Sequence, residues 1–494
     1  MGVSTNAGPL IAQDFALTTE QLEWFLGSLN FWSIAGALVS PFVSDQYGRR
    51  TTLRTAALGF LIGVTICASA PNFATLMVGR MIVGVGVGVG EAIDPMYIAE
   101  IAPAHVRGEL VSWAEAGVAV GVVLGFASSL LPLEGAAAWR PMLALGIILP
   151  LLMLILATFV LPESPRWLVA HHKEPAARAI LERIYPTDNL VEHVVTDINE
   201  SLALEQLANQ RVGWRALLRP SPAIRRMLIV GIGIACIQQA VGIDSIMFYL
   251  MFVLKQSGVE SELGQDWALI ALGTVKLAFV FVGARNFDHS GRRPMLFLSL
   301  GGMTLSLLVV SFTFTNTSAA MKSLTVVALA FYLAFFSIGL GPGNWVVVSE
   351  IFAPSIRAKA MMLAVLPNRL TATFMASTFL SVAQALTWPG FFLLLAGICM
   401  ASMLFLYMFL PETKGKTLED MVRYFAEVTG DRSILDLEHD LKHDKVEHEG
   451  QEGQPPSDQG GIEMGGSEEV EYGTLDLRLK EEDDDTWNQT VPIT

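Results

Sequence analysis

Charge is scarce in this sequence. Asp, Glu, Lys and Arg together make up 16% of 494 residues, where soluble domains average about a quarter. That scarcity excludes an ordinary soluble domain, because apolar residues fill the gap and reach 52%. Cysteine is sparse too. Cys67, Cys236 and Cys399 all fall in apolar stretches, so no disulfide framework is expected, only small buried hydrophobes. The eight histidines lie mostly in loops or near the C-terminus. With no metal-ligand spacing and no nucleophile triad, neither an enzyme nor a cofactor or metal is expected. No charged n-region with a small-residue cleavage site opens the chain, so no secretory signal is expected. Basic excess is missing, which argues against a nucleic-acid partner. The formal charge of −15 is acidic in one place: residues 431–494 hold 19 acidic and 5 basic residues, leaving the rest nearly neutral.

What the chain has in abundance is apolar runs. Full membrane spans are expected near 26–46, 53–70, 76–98, 110–131, 141–161, 228–252, 266–286, 295–315, 324–348, 360–384 and 390–410. Each is close to the roughly 20 residues that cross a bilayer as a helix. A shorter apolar stretch, "Met1-Gly-Val-Ser-Thr-Asn-Ala-Gly-Pro-Leu-Ile-Ala", reads as part of a twelfth.

One pattern is written twice. "Asp45-Gln-Tyr-Gly-Arg-Arg50" returns as "Asp288-His-Ser-Gly-Arg-Arg293", an offset of 243. "Glu100-Ile-Ala-Pro-Ala-His-Val-Arg107" returns as "Glu350-Ile-Phe-Ala-Pro-Ser-Ile-Arg357", an offset of 250, and "Pro162-Glu-Ser" as "Pro411-Glu-Thr", an offset of 249. Such a repeat describes two halves in the same orientation, the parallel plan of alternating-access transporters. The expected fold is therefore an all-α membrane protein. Residues 1–161 form an N-terminal bundle, 162–227 a cytoplasmic linker with short helices and 228–410 a C-terminal bundle. Residues 411–494 form an acidic, mostly disordered tail. Loops carrying Arg49, Arg50, Arg54, Arg107, Arg285, Arg292, Arg293, Arg357 and Lys359 alternate with loops nearly free of Lys and Arg. The rich side is expected to be cytoplasmic, with both termini on it. A sequon at Asn316 falls in a short loop of the opposite side and is expected to be unoccupied.

The repeated loops place carboxylates beside guanidinium groups where helices meet. Asp45, Arg49, Glu100, Arg107, Asp288, Arg292, Glu350 and Arg357 are expected to form cytoplasmic clusters that act as a gate. Inside the spans, Glu91, Asp94, Glu115, Asp244 and Lys276 sit at membrane depth. Each costs about 2.5–3.5 kcal/mol at a helix centre unless it meets a cavity or a partner. Lys276 is expected to face Glu115 or Asp244. Glu91 and Asp94 are three apart and share a helix face, which makes them, with Glu115, candidates for carrying a proton. Gln239 and Asp244 fall within about 140° on a helical wheel. Amides of Gln238 and Gln239 suit vicinal hydroxyls, with helix–helix hydrogen bonding as the plain alternative. "Gly84-Val-Gly-Val-Gly-Val-Gly90" sits in an apolar span and reads as close helix packing.

These stretches, with "Arg80-Met-Ile-Val-Gly", "Pro162-Glu-Ser-Pro-Arg-Trp", "Gln238-Gln-Ala-Val-Gly-Ile-Asp", "Gly341-Pro-Gly-Asn-Trp345" and "Pro411-Glu-Thr-Lys-Gly", resemble the sugar porter branch of the major facilitator superfamily over about residues 1–425. Glu115, Asp244, Lys276 and "Asn368-Arg" resemble the plant polyol/monosaccharide proton symporters in particular. The resemblance implies the major facilitator fold, with two six-helix halves and a first helix truncated just after the family's coupling Asp, which would precede Met1. Asp94 departs from the family pattern. The resemblance further implies a cavity lined by Gln238, Gln239, Asp244, Tyr249, Lys276, Trp345 and Asn368, with Glu115 opposite. The function it implies is secondary active transport of a monosaccharide or polyol with protons, by a protein expected to be monomeric in the lipid bilayer. A facilitative uniporter and a sensor signalling through the tail are the alternatives. The plasma membrane is the expected location, with vacuolar and plastid membranes open.

Overall fold

A computed structural model describes residues 2–440 apart from 104–105, 132–134, 136, 212, 260 and 316–317. The side chains of Arg107 and Asp288 also lie outside the described residues, as do the Asn316 sequon and residues 441–494. The regular structure described is helical throughout. The first half comprises α1 (Gly2–Asp14), α2 (Thr19–Tyr47), α3 (Arg49–Ala68), α4 (Phe73–Ile101), α5 (Arg107–Ala127), α6 (Trp139–Leu145) and α7 (Ile148–Phe159). Four helices connect the halves: α8 (Pro165–Ala170), α9 (Glu174–Leu181), α10 (Asp188–Arg211) and α11 (Arg215–Leu218). The second half comprises α12 (Pro222–Ala240), α13 (Ile243–Gln256), α14 (Glu262–Ser290), α15 (Arg292–Thr313), α16 (Ala319–Ile338), α17 (Leu340–Ile351), α18 (Arg357–Ser377) and α19 (Phe379–Phe409). The helix α20 (Leu418–Thr429) follows it.

Among the described residues, ten stretches are long and apolar enough to cross a membrane. The eleven complete spans expected from sequence exceed that number by α18. This helix is 21 residues long, but Arg357, Lys359, Asn368 and Arg369 depress its hydropathy. It packs between α2 of the first half and α12 of the second, so it meets protein along its length rather than lipid alone. Asn368 finds its partners on α12, and Arg369 finds Glu91 on α4.

Glycine pattern explains the tightest packing. α2 crosses α4 through Gly36, Gly84 and Gly88, where backbone lies against backbone. Without a water-driven hydrophobic force between membrane helices, such close approach supplies the dispersion contacts that hold them together. Between the halves, α2 packs along α18, and α5 packs along α14.

Three helical stretches of the second half are interrupted, one of them within α19 at Thr387, where φ is +62°. Gly242 adopts φ +89°, the left-handed region that residues with a Cβ rarely enter, and separates α12 from α13. The Val241 carbonyl freed by the break accepts a hydrogen bond from Tyr332 Oη at 3.0 Å. Gly339 separates α16 from α17, and Ser299 Oγ accepts from the Leu340 N–H at 3.2 Å. The wheel relation expected between Gln239 and Asp244 therefore does not hold, because the two residues sit on different helices.

The second half begins at Pro222, inside the stretch expected to be linker, with Ser221 capping α12. The expectation of disorder from 411 is corrected for 411–440. Thr417 and Asp420 form a capping box that starts α20, and Met421, Val422, Phe425 and Ala426 bury an apolar face against α12 and α17. Beyond it, the Asp431 carboxylate accepts the Ala223 N–H at 3.2 Å in the first turn of α12. Glu438 Oε1 accepts from the Ser355 hydroxyl at 2.6 Å and its N–H at 3.2 Å. Burial opposes charge on Asp431, but hydrogen bonds from Ser433, Ser221 and the Ala223 N–H outweigh it and bring its pKa down to about 2.

Candidate functional site

The repeated motifs build one cluster in each half. Arg49 reaches Glu100 through Nε and Nη2, both at 2.9 Å, and Asp45 through Nη1 at 3.1 Å. Glu163 Oε1 accepts the N–H groups of Arg49 and Arg50 at 2.8 and 3.1 Å, using the first donors of α3. In the second half, Arg292 Nη2 reaches Glu350 at 3.0 Å, and Glu412 accepts the N–H groups of Arg292 and Arg293 at 3.0 and 3.1 Å. The Thr413 hydroxyl donates to Glu350 at 2.6 Å. Each cluster stitches helices of a single half. Arg357 stands apart from Glu350: its charged neighbour is Glu438, and its Nε and Nη2 are buried with no hydrogen-bond partner.

At the opposite, Arg-poor end, contacts cross between the halves. Glu23 on α2 is 2% exposed. Its carboxylate accepts the Ser381 N–H at 2.7 Å and the Ser381 hydroxyl at 2.6 Å in the first turn of α19. The Thr5 hydroxyl donates to the Met247 carbonyl at 2.8 Å, joining α1 to α13. Sequence reasoning did not single out Glu23, because the span was expected to begin near 26, whereas α2 begins at Thr19.

Between these ends lies a band of polar and charged side chains. Gln238 Nε2 donates to the Gly341 carbonyl at 3.3 Å, while its Oε1 accepts from Asn344 at 3.2 Å and Asn368 at 3.0 Å. Asn368 also donates to the Ala235 carbonyl at 2.7 Å. This amide knot ties α12, α17 and α18, so Gln238 takes the helix-joining role. Gln239 Oε1, Asn344 Oδ1 and Asn368 Oδ1 are buried acceptors without a partner. Trp345 is half-buried beside Asn344. Tyr249 is placed elsewhere: it is fully buried, donates to the Ala376 carbonyl at 2.9 Å and stacks on Phe379 at 4.6 Å.

The charges divide by half. Glu91, Asp94 and Glu115 come from the first half; Asp244, Lys276 and Arg369 come from the second. Lys276 Nζ lies 3.9 Å from Glu115 Oε1, joining α14 to α5. Arg369 Nη2 lies 2.9 Å from Glu91 Oε2, joining α18 to α4. Asp244, half-buried in the first turn of α13, is within electrostatic reach of Arg369, Lys276 and Glu115. Asp94 neighbours Glu91. Arg80 is separate: its guanidinium donates to Ser4 Oγ at 3.0 Å and lies 4.0 Å from the Phe25 ring centroid.

The family model described as "Sugar (and other) transporter" matches residues 2–425. "Probable polyol transporter 4" of Arabidopsis thaliana is 40% identical over 430 residues, covering 86% of this chain and 81% of that protein. The glucose transporter GlcP of Staphylococcus epidermidis is 29% identical, covering 87% of this chain and 95% of that one. Among solved structures, the major facilitator proton:xylose symporter XylE bound to 6-bromo-6-deoxy-D-glucose superposes with TM-score 0.70 at 27% identity, over 86% of this chain and 98% of XylE. Two repeated six-span halves, their matched Arg–Glu clusters and a family match over nearly the whole membrane body lead to one assignment: the chain belongs to the sugar (and other) transporter family.

Proposed function

We propose that this protein moves a monosaccharide or polyol across a membrane by alternating access, coupled to protons. The observation that carries the reading is the midplane band. Buried carbonyl acceptors without partners on Gln239, Asn344 and Asn368 share this band with half-buried Trp345 and with two ion pairs that join the halves, and we read the space they border as the substrate chamber. Unpaired acceptors cost about 1–3 kcal/mol each, a penalty relieved by hydroxyl donors. A flat indole face suits the C–H side of a sugar or polyol. In the same reading, Gln238 positions the amides, Asp244, Lys276 and Glu115 edge the site, and Tyr249 braces α13 from behind.

Four carboxylates, Glu91, Asp94, Glu115 and Asp244, face two cations, Lys276 and Arg369. Full ionisation leaves an excess of negative charge at membrane depth, and a proton neutralises part of it. Glu91, Asp94 and Glu115 are the proton-carrying candidates. The relatives include polyol transporters and a proton:xylose symporter, in keeping with that chemistry. With the Arg-rich end in the cytoplasm, the cross-half contacts of Glu23 and Thr5 close the outer end, and the chamber faces inward. The Arg–Glu clusters are then available to latch the halves in the outward state. A plasma-membrane monomer with both termini inside completes the reading.

The test is uptake of radiolabelled sorbitol and xylose into liposomes holding the purified protein. An inward acid gradient should drive accumulation, and substrate addition should dissipate that gradient. Flux without proton movement makes the protein a uniporter; binding without flux makes it a sensor. Gln239→Leu is expected to raise the half-saturating concentration about tenfold, as for one or two lost hydrogen bonds of about 1 kcal/mol each. An unchanged saturation curve removes Gln239 from the site.

A further inference from the structure

The two ion pairs across the chamber are not equivalent. Lys276 approaches Glu115 at 3.9 Å, whereas Arg369 meets Glu91 at 2.9 Å. Arg369 is 13% exposed at its side chain, while Glu91 is 44% exposed. The acid thus borders open space, and the base is held by protein. Arg369 is also the foremost charged neighbour of Asp244, which lies in its own half.

We propose that Arg369 is a positioning residue that exchanges between Glu91 and Asp244 and so ties the protonation of Glu91 to the movement of the two halves. The proposal rests on the transport reading above. A guanidinium offers a fork of donors able to serve two carboxylates, which an ammonium does less well. Separation of the halves at this level carries Arg369 away from Glu91 but leaves it beside Asp244. Arg369 keeps a counter-charge in both positions. Glu91 does not, and a carboxylate left alone at membrane depth gains by taking a proton. The proton adds to the Glu91 carboxylate as the pair opens and leaves it as Arg369 returns; no other bond changes.

The charged groups around the pair fit this assignment. α4 contributes Glu91 and Asp94, α5 Glu115, α13 Asp244 and α14 Lys276. The helices packed along α18 carry their remaining charges near their ends: Glu20, Glu23 and Asp45 on α2, Arg225 and Arg226 on α12, Lys255 on α13, Glu350 on α17. Lys276 faces Glu115, so Arg369 is the cation at hand for Glu91.

The experiment uses the full chain in liposomes with radiolabelled sorbitol and xylose. It compares exchange without a gradient, across a range of pH, with uptake driven by an inward acid gradient. Glu91→Gln, which keeps shape and removes the charge, is expected to abolish gradient-driven accumulation and flatten the pH profile of the exchange that remains. Arg369→Gln strands Glu91, so exchange should slow about tenfold at alkaline pH and recover as Glu91 is protonated at acid pH. The double variant should show exchange without that pH dependence, an outcome that a purely structural ion pair does not produce. If Glu91→Gln still accumulates substrate as the wild type does, or Arg369→Gln leaves the pH profile unmoved, the proposal falls and the transport reading stands. If wild-type liposomes exchange neither sugar nor polyol, the transport reading falls and takes the proposal with it. Should Arg369→Gln fail to fold, Glu91→Gln decides alone.

Discussion

Gly88→Val is expected to leave little folded protein, with even Gly88→Ala melting well below the wild type in detergent. A Cβ built on Gly88 collides with the Ser33 carbonyl oxygen and falls 2.7 Å from the Ala37 nitrogen. Both are backbone atoms of α2, so no rotamer change relieves the clash. Gly36 repeats the problem from the other side, where a Cβ meets the Val85 carbonyl and falls 2.9 Å from the Val89 nitrogen. Overpacking typically costs about 1–3 kcal/mol and more where backbone must move. Here the helices must part along a crossing that also fixes Glu91, one turn away on α4. Gly121→Ala is the control, since a Cβ there meets nothing within 4 Å. Equal melting of Gly88→Ala and Gly121→Ala would show that the α2–α4 crossing tolerates separation.

Arg49→Ala carries the second large effect. Arg49 is 10% and Glu100 9% exposed at their side chains, and the two share a bidentate contact. Removing the base strands a buried carboxylate, which typically costs about 3–5 kcal/mol. The double variant Arg49→Ala/Glu100→Ala should recover part of that loss, because no unpaired charge remains. The matching change Arg292→Ala should cost less. Glu350 is 26% exposed and retains the Thr413 hydroxyl as a donor. Chemical denaturation or thermal melting of the four proteins measures the ordering. Equal losses for Arg49→Ala and Arg292→Ala would mean that burial does not set the strength of the clusters.

Much of this organisation is legible in the sequence because membrane insertion leaves a coarse mark. Long apolar runs and a motif set repeated at nearly one offset are sufficient for two like-oriented halves. The contact between Lys276 and Glu115 follows from the cost of lone charges in a bilayer. The breaks at Gly242 and Gly339 are less legible, because glycine is common in membrane helices and its φ depends on neighbours. Tyr249 shows another limit: a tyrosine five residues past Asp244 can turn to either side of a broken helix. α18 is less apolar than the other spans because it carries polar residues such as Asn368 and Arg369, whose partners lie on helices far away in sequence. The partner of Glu91 was hidden for the same reason, since Arg369 lies in the other half.

The contacts of Asp431 and Glu438 extend the working length of the transporter beyond its last span. The start of α12 and the turn before α18 both donate hydrogen bonds to carboxylates past 430. With its pKa near 2, Asp431 contributes stability above its unfolded value of about 4, lost only as pH falls toward 2. Neutral and mildly acidic media therefore leave this seam intact. A fluorescent fusion or a shortened chain that ends before 440 would cut it, whereas one joined after that point would spare it. Biosensor and purification designs accordingly have a natural lower limit at this residue, set by hydrogen bonds rather than by the edge of the bilayer.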